Sequence, residues 1–486
     1  MRIWLVAAVL ALGAPAAVAQ QFRQKDFDAY VRRGLQTLRV PGVAVAVVKD
    51  GKLVFAQGYG VRTLGDTGRV DAHTLFQIAS NTKAFTTAAL AMLVDEGKLA
   101  WDDPVTKYLP DFQLYDPYVT REFTLRDLVT HRSGLGLGAG DLLWFHSSYG
   151  RAEIIHRIRA AKPASSFRSR YAYDNVLYIA AGEIVPAVTG KSWDDFIKER
   201  ILTPLGMTES GTSIAFLSST SDVAAPHGVE RGQLQVVPRD SIDNTGPAGG
   251  IVSNVSDMAK WLLCRLDSGR YAGGRLFSER QARVMWAGQT ILPIGDPPPP
   301  LAALRPSFSE YGLGWFLRDY RGRKVVAHTG GLAGMTSQVM LVPGERLGVH
   351  EPLGERERAG RTAFDRVTRQ GERRSREADE RDVWGQRPRH GADRVQHVRQ
   401  IGHRVHWREL EHLGRLPDRS RDLGTLPGRE REAEAQRLER QQDIGEQDGG
   451  VDAEAIDRLQ GDLGGQLRLV TELQQRVLLP QRAIFR

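Results

Sequence analysis

The spacing of apolar residues changes character several times along the chain. Val43-Ala44-Val45-Ala46-Val47-Val48 is a β-branched-rich run ending at Asp50-Gly51, and Leu53-Val54-Phe55-Ala56 follows it. Two such runs around Asp-Gly predict a hairpin, because that turn needs positive φ at its central residues. From Ser80 to about Glu96 the period turns helical: Phe85, Ala88, Ala89, Met92 and Leu93 share one face at three- and four-residue spacing. Gly97 stands where that helix should end. Residues 100–265 read mostly as helix and loop, with helices over 125–129, 152–158, 176–184, 193–201 and 257–266. Ser192 and Ser256-Asp257 serve as helix starts. Residues 291–306, with four consecutive prolines, predict a surface loop. Strand character returns over 312–317, 324–327 and 337–342, before a turn at Pro343-Gly344-Glu345. Strands at both ends with helices between predict an α+β fold: an antiparallel sheet flanked by helices, with a mostly helical insertion over about 100–265.

The two ends read differently. Arg2, the apolar run from Ile3 to Leu12 and Ala17-Val18-Ala19 have the form of a secretory signal peptide, with cleavage expected after Ala19. The run is shorter than the roughly 20 apolar residues that span a bilayer. The mature chain is therefore expected to begin at Gln20 and to be periplasmic or secreted, without stable membrane insertion. At the other end, a strand beginning at Leu347-Gly348-Val349 runs into His350-Glu351-Pro352. The 136 residues from 351 onward hold 27 Arg and no Lys, although Lys is used freely up to Lys324. The expected division is thus residues 1–19, a domain over 20–349 and a tail over 350–486. The tail is either a disordered or partly helical extension or sequence read out of its ancestral frame. The abrupt break inside a strand fits the second account better. On that account the sheet would lack part of its edge and the helix that covers it.

With 41% hydrophobic residues and one Cys in 486, collagen-like, wholly disordered and disulfide-scaffold classes are excluded. The net charge of +8 is modest, and the tail mixes Arg with Asp and Glu, so no single-sign surface suits nucleic acid. Cys264 has no internal partner and reads as a small core residue.

Three short stretches carry candidate chemistry. Ser80-Asn81-Thr82-Lys83 opens the predicted helix, which places Ser80 near its N-terminus and brings the Lys83 amine to the same face. A serine hydroxyl needs a neighbouring base, and a lysine serves only if its pKa is lowered. Alone, the motif better fits a capping Ser and a surface Lys. Tyr173-Asp174-Asn175 precedes another predicted helix. A phenol beside an ammonium loses its proton more easily, so Tyr173 could serve as general base to Ser80 and later as general acid, and Asn175 could hold a carbonyl or orient Lys83. Tyr171 and Tyr178 read as packing residues. His328-Thr329-Gly330-Gly331 ends a predicted strand, where paired glycines admit a substrate backbone. The N–H groups of Ser80 and Gly331 could form an oxyanion hole. No His/Glu cluster has zinc spacing, so neither metal nor cofactor is expected.

Taken together and in this order, the three stretches resemble the serine β-lactamase and penicillin-binding-protein superfamily, in the branch of class C β-lactamases, esterases and D-amino-acid peptidases. Leu75-Phe76-Gln77-Ile78-Ala79, the stretch from Leu128 to Leu135, Pro204-Leu205-Gly206-Met207 and Pro247-Ala248-Gly249-Gly250-Ile251 add to the resemblance, which covers about residues 30–349. It implies Ser80 as acylated nucleophile, Lys83 as its activating partner and Tyr173 as acid/base. Asn175 would contact substrate or lysine, and His328, Thr329, Gly330 and Gly331 would line the site. His131 is expected only to shape a loop.

One departure concerns His328, which stands where β-lactamases usually carry lysine. It supplies no permanent charge for a substrate carboxylate, so esters or small peptides are expected ahead of β-lactams. The expected activity is an exported serine hydrolase acting on a small-molecule or peptide substrate. A catalytically inactive sensor or binding protein on the same fold, and a basic interaction protein acting through its tail, are the alternatives.

Overall fold

The computed structural model describes residues 24–230, 232–296 and 305–354. Its centre is an eight-stranded antiparallel sheet. Numbered within this sheet, the strands are β1 (Gly42–Lys49), β2 (Lys52–Gly60), β3 (Thr290–Ile291), β4 (Ser309–Tyr311), β5 (Phe316–Tyr320), β6 (Arg323–Leu332), β7 (Met335–Val342) and β8 (Leu347–Gly354). Their spatial order is β2-β1-β8-β7-β6-β5-β4-β3, so the last strand lies beside the first. The chain leaves the sheet after β2 and returns at β3, and the helical insertion lies between. This is the expected α+β architecture.

Local chemistry explains most of the elements. Asp50 and Gly51 adopt φ of 49° and 78° and close the β1–β2 hairpin. Helix α1 (Gln24–Leu38) buries Phe27, Tyr30 and Val31, with the Phe27 ring edge-on to Phe55 of β2 at 5.1 Å. Helix α2 (Lys83–Asp95) differs from the one-faced pattern read in the sequence, because every residue from Lys83 to Leu93 is buried. Alanines let neighbouring elements approach on all sides, and the two threonines are satisfied inside: Thr86 donates to the Pro247 carbonyl and Thr87 to that of Lys83. Helix α3 (Val176–Thr189) meets α2 and the 246–249 turn. A Cβ on Gly182 would stand 2.2 Å from the Pro247 ring, so that approach requires glycine. Helix α4 (Val255–Leu266) packs on β1 and β8 and stacks Trp261 on Phe85 at 4.0 Å. Its cap is Asn254, whose side chain accepts from the Asp257 N–H, rather than Ser256-Asp257.

Three expectations need correction. The single strand expected over 312–317 is two strands, β4 and β5, around a turn in which Gly314 has φ of 79°. The insertion also contains the hairpin His227–Glu230 with Gln233–Val236, and the pair Phe76–Gln77 with Val252–Ser253. Most consequentially, the last strand does not stop at Val349. It continues to Gly354 and pairs along its length with β7, and it also pairs with β1, so it lies inside the sheet rather than at an edge. Main-chain pairing needs no particular side chain, and neighbours on both sides carry the ladder past His350 and Glu351. The expected signal peptide, the prolines at 297–300 and the tail beyond 354 lie outside the described residues. Among the described residues no helix is long and apolar enough to cross a membrane.

Candidate active site

The segment from Ile78 to Thr82 is held from three sides. The Ile78 N–H donates to the Ile251 carbonyl at 3.0 Å, and the Ile78 carbonyl accepts from Ser337 Oγ of β7 at 2.7 Å. Asn81 Nδ2 donates to the same Ser337 hydroxyl at 2.7 Å. Ala79, directly before the serine, has φ of 46°, a strained conformation for a residue with a side chain. The turn then enters a 3-10 helix over Ala79–Thr82, which runs on into α2. On the sheet side Gly330 lies against this turn. A Cβ there would come within 2.1 Å of the Ile78 carbonyl oxygen and 2.5 Å of Ser337 Oγ. That contact, rather than room for a substrate, is what requires glycine at 330.

Two side chains converge on the Ser80 hydroxyl. Lys83 Nζ lies 3.0 Å from Ser80 Oγ, and the Tyr173 hydroxyl donates to Ser80 Oγ at 2.8 Å. The amine also donates to Asn175 Oδ1 at 2.8 Å and to the Ala248 carbonyl at 3.0 Å. The Ser80–Lys83 and Tyr173–Asn175 stretches therefore meet at the Ser80 oxygen and the Lys83 amine, with the Ala248 carbonyl a third contact at the amine. Nothing in the sequence singles out the Ala248 carbonyl as a lysine contact, although its Pro-Ala-Gly-Gly segment is part of the resemblance. Asp174 and Asp141 surround this cluster. Asn175 Nδ2 donates to Asp141 Oδ1 at 3.3 Å, and Asp174 Oδ1 accepts from the Leu177 N–H at 3.0 Å, at the start of α3.

Burial sets the electrostatics. It pulls the Lys83 amine down to about 7, against the opposing pull of Asp174 and Asp141. It pushes Asp174 up to about 7, resisted by the Leu177 N–H, Lys83 and Ser133. Tyr173 is pushed up by burial, and its bond to Ser80 offsets only part of this. The expectation that a neighbouring ammonium would ease the phenol's deprotonation is therefore corrected: desolvation of the phenolate outweighs it. The amine is the group poised to lose a proton near neutrality. An uncharged Lys83 keeps two N–H bonds, to Asn175 and Ala248, and turns its lone pair to the Ser80 O–H.

His131 has a larger part than shaping a loop. It is buried, has φ of 52°, and packs its ring 4.2 Å from that of Tyr173 and 4.6 Å from Tyr311. His328 is also buried, and both its nitrogens are engaged: Nδ1 bonds the Thr329 carbonyl at 2.7 Å and Nε2 the Tyr311 hydroxyl at 3.0 Å. Burial, then Lys83, holds this imidazole down to about 3, so it is neutral at pH 7. Thr329 and Gly331 alternate with His328 and Gly330 along β6 and are exposed. Tyr178 is a buried packing residue whose hydroxyl donates to the Val129 carbonyl at 2.8 Å, whereas Tyr171 is only partly covered. Cys264 is buried, with its thiol pushed up to about 12.

Comparison with known proteins agrees with this geometry. An unguisins hydrolase of Aspergillus campestris is 30% identical over 331 residues, covering 66% of this chain and 59% of the relative. Penicillin-binding protein 4 of Amycolatopsis lactamdurans is 30% identical over 318 residues, covering 63% of this chain and 78% of that protein. The chain thus spans about three fifths of the length of the unguisins hydrolase. Among solved structures, an octameric penicillin-binding protein homologue from Pyrococcus abyssi superposes with a TM-score of 0.60 at 25% identity, covering 69% of this chain and 74% of that one. The sequence profile of the family described as Beta-lactamase matches residues 27–350, and with the sheet, the insertion and the Ser80 cluster all in place, the chain belongs to the β-lactamase family.

Proposed function

We propose that the chain is an exported serine hydrolase that opens an ester or amide through a Ser80 acyl-enzyme. The observation that carries this is the single hydroxyl bonded by an amine at 3.0 Å and a phenol at 2.8 Å. Ser80 Oγ forms a bond to the substrate carbonyl carbon while its proton passes to neutral Lys83. The N–H groups of Ser80 and Gly331 receive the oxyanion. As the carbonyl re-forms, the bond to the leaving group breaks, and that group takes a proton relayed from Lys83 through the Tyr173 hydroxyl. A water then attacks the acyl ester, and Ser80 recovers its proton. Asn175 holds Lys83, and Thr329 lies along the exposed face where substrate would run.

Substrate class follows from what β6 lacks. With both His328 nitrogens engaged and its ring neutral, position 328 offers no cation for the carboxylate of a β-lactam. Small esters and D-amino-acid peptides are therefore favoured, and unguisins join them because a relative bears that name.

The test combines a fluorophosphonate probe with a substrate panel. Purified protein is expected to take up one label, mapped to the Ser80 peptide and lost in Ser80→Ala. It should turn over a p-nitrophenyl ester, a D-alanyl peptide or unguisins faster than a chromogenic cephalosporin. N-terminal sequencing of the labelled, exported species should begin at Gln20. Labelling that persists in Ser80→Ala would overturn the mechanism, and faster cephalosporin turnover would overturn the substrate order.

A further inference from the structure

Away from Ser80, helix α4 places an arginine inside the core. Arg265 is fully buried, and its guanidinium carbon lies 5.5 Å from the Trp261 ring, 4.8 Å from Phe277, 5.0 Å from Trp286 and 5.3 Å from Trp315. No carboxylate pairs with it among the described residues, and its one polar contact is from Nη1 to the Met285 sulfur at 3.6 Å, a weak acceptor. Arg265 Nε and Nη2 have no acceptor among the protein's atoms, and neither do the indole nitrogens of Trp261, Trp286 and Trp315.

Two unpaired donors on the guanidinium and three on the indoles packed around it form an unusual set. Four rings stabilise the charge of a desolvated guanidinium. Ring faces leave the in-plane N–H groups unbonded, and each buried donor left without an acceptor destabilises the fold. A neutral acceptor would satisfy donors but leave the charge. A small anion satisfies both. Trp286 also lines a surface pocket of about 340 Å³ together with Lys324.

We propose that the Arg265 cage is a binding site for a halide-sized inorganic anion, held by the guanidinium edge and the surrounding indole N–H groups. Bound only by the folded chain, the anion stabilises it by mass action. It is independent of the chemistry at Ser80.

The experiment is thermal unfolding of the full chain in sodium chloride, sodium bromide and sodium gluconate at matched ionic strength. Chloride and bromide are expected to raise the midpoint saturably by roughly 2–5 °C over gluconate. Arg265→Leu, which can fill the space with apolar atoms, is expected to abolish the halide difference. Trp286→Phe, which removes one donor and keeps the ring, should raise the half-saturating chloride concentration several-fold and serves if Arg265→Leu does not fold. Bromide located next to the guanidinium by anomalous scattering would support the site directly. Equal midpoints in chloride and gluconate, or an undiminished halide response in Arg265→Leu or Trp286→Phe, would overturn it.

Discussion

Replacing Lys83 by methionine is expected to lower kcat/KM by roughly a hundred- to ten-thousand-fold, the range of a positioned general base. Methionine matches the lysine stem in length and is at home in the core, so the substitution removes the amine with little change in packing. Three bonds disappear: those to Ser80 Oγ, Asn175 Oδ1 and the Ala248 carbonyl. In the proposed mechanism the first is the proton's route out of Ser80. Tyr173 cannot replace it, because burial keeps the phenol protonated. A thermal midpoint close to that of the parent chain would show that the loss is chemical. A loss of less than tenfold in the folded variant would mean that another group takes the Ser80 proton.

The second large effect concerns stability. Glu351 lies in β8, inside the sheet, paired in register with Gln338 and 3% exposed. Burial alone pushes its carboxyl from 4.5 up to about 8. Below pH 4.5 the carboxyl is protonated in both the folded and unfolded chain and costs nothing. Between pH 4.5 and 8 the unfolded chain loses the proton while the folded chain keeps it, so stability falls as pH rises. Above pH 8 the full penalty applies, about 5 kcal/mol from 3.5 pH units at roughly 1.4 kcal/mol each. That is a large share of the roughly 5–15 kcal/mol by which a domain is stable. Glu351→Gln is therefore expected to raise unfolding free energy at pH 9 by several kcal/mol and to change it little at pH 4. Denaturant titrations at the two pH values check this. Equal gains at both would show that packing, not ionisation, is responsible.

The strand that holds Glu351 also shows where sequence reasoning ends. Asp50-Gly51, the Ser192 cap and the Ser80–Lys83 spacing were legible because each depends on residues close in the chain. Helix α2 was legible as a helix but not as one buried on every side, since the elements that cover its second face come from residues far along the chain. The continuation of β8 was misread because His350-Glu351-Pro352 gives no strand signal. Its pairing with β1 and β7 is a tertiary fact, and it imposes a strand on residues that carry costs there. One is the buried His350 Nε2 without a partner, another the Pro352 ring that has no N–H to give.

The site divides in the same way. Ser80, Lys83, Tyr173 and Asn175 were named from motifs, and the structure brings them together. The protonation states were not legible, because they depend on burial. The tyrosine that looks like a base in the sequence is held protonated, and the lysine, beside the Asp174 carboxyl, is the basic group that titrates near neutrality. Likewise, nothing near His328 in sequence indicates that the Tyr311 hydroxyl occupies its Nε2. His131 was assigned to a loop because a lone histidine carries no spacing signal, yet its ring supports Tyr173.

The most direct test of this proton assignment is the rate at which a neutral fluorophosphonate modifies Ser80 as a function of pH. Glu351→Gln is the better background, so that the fold persists above pH 8. With the Lys83 amine titrating at about 7, the rate should rise about tenfold per pH unit below that point and level off above it. A rate that is flat from pH 5 to 9, or one that climbs without a plateau towards the range of an ordinary amine or phenol, would contradict the assignment of Lys83 as the base.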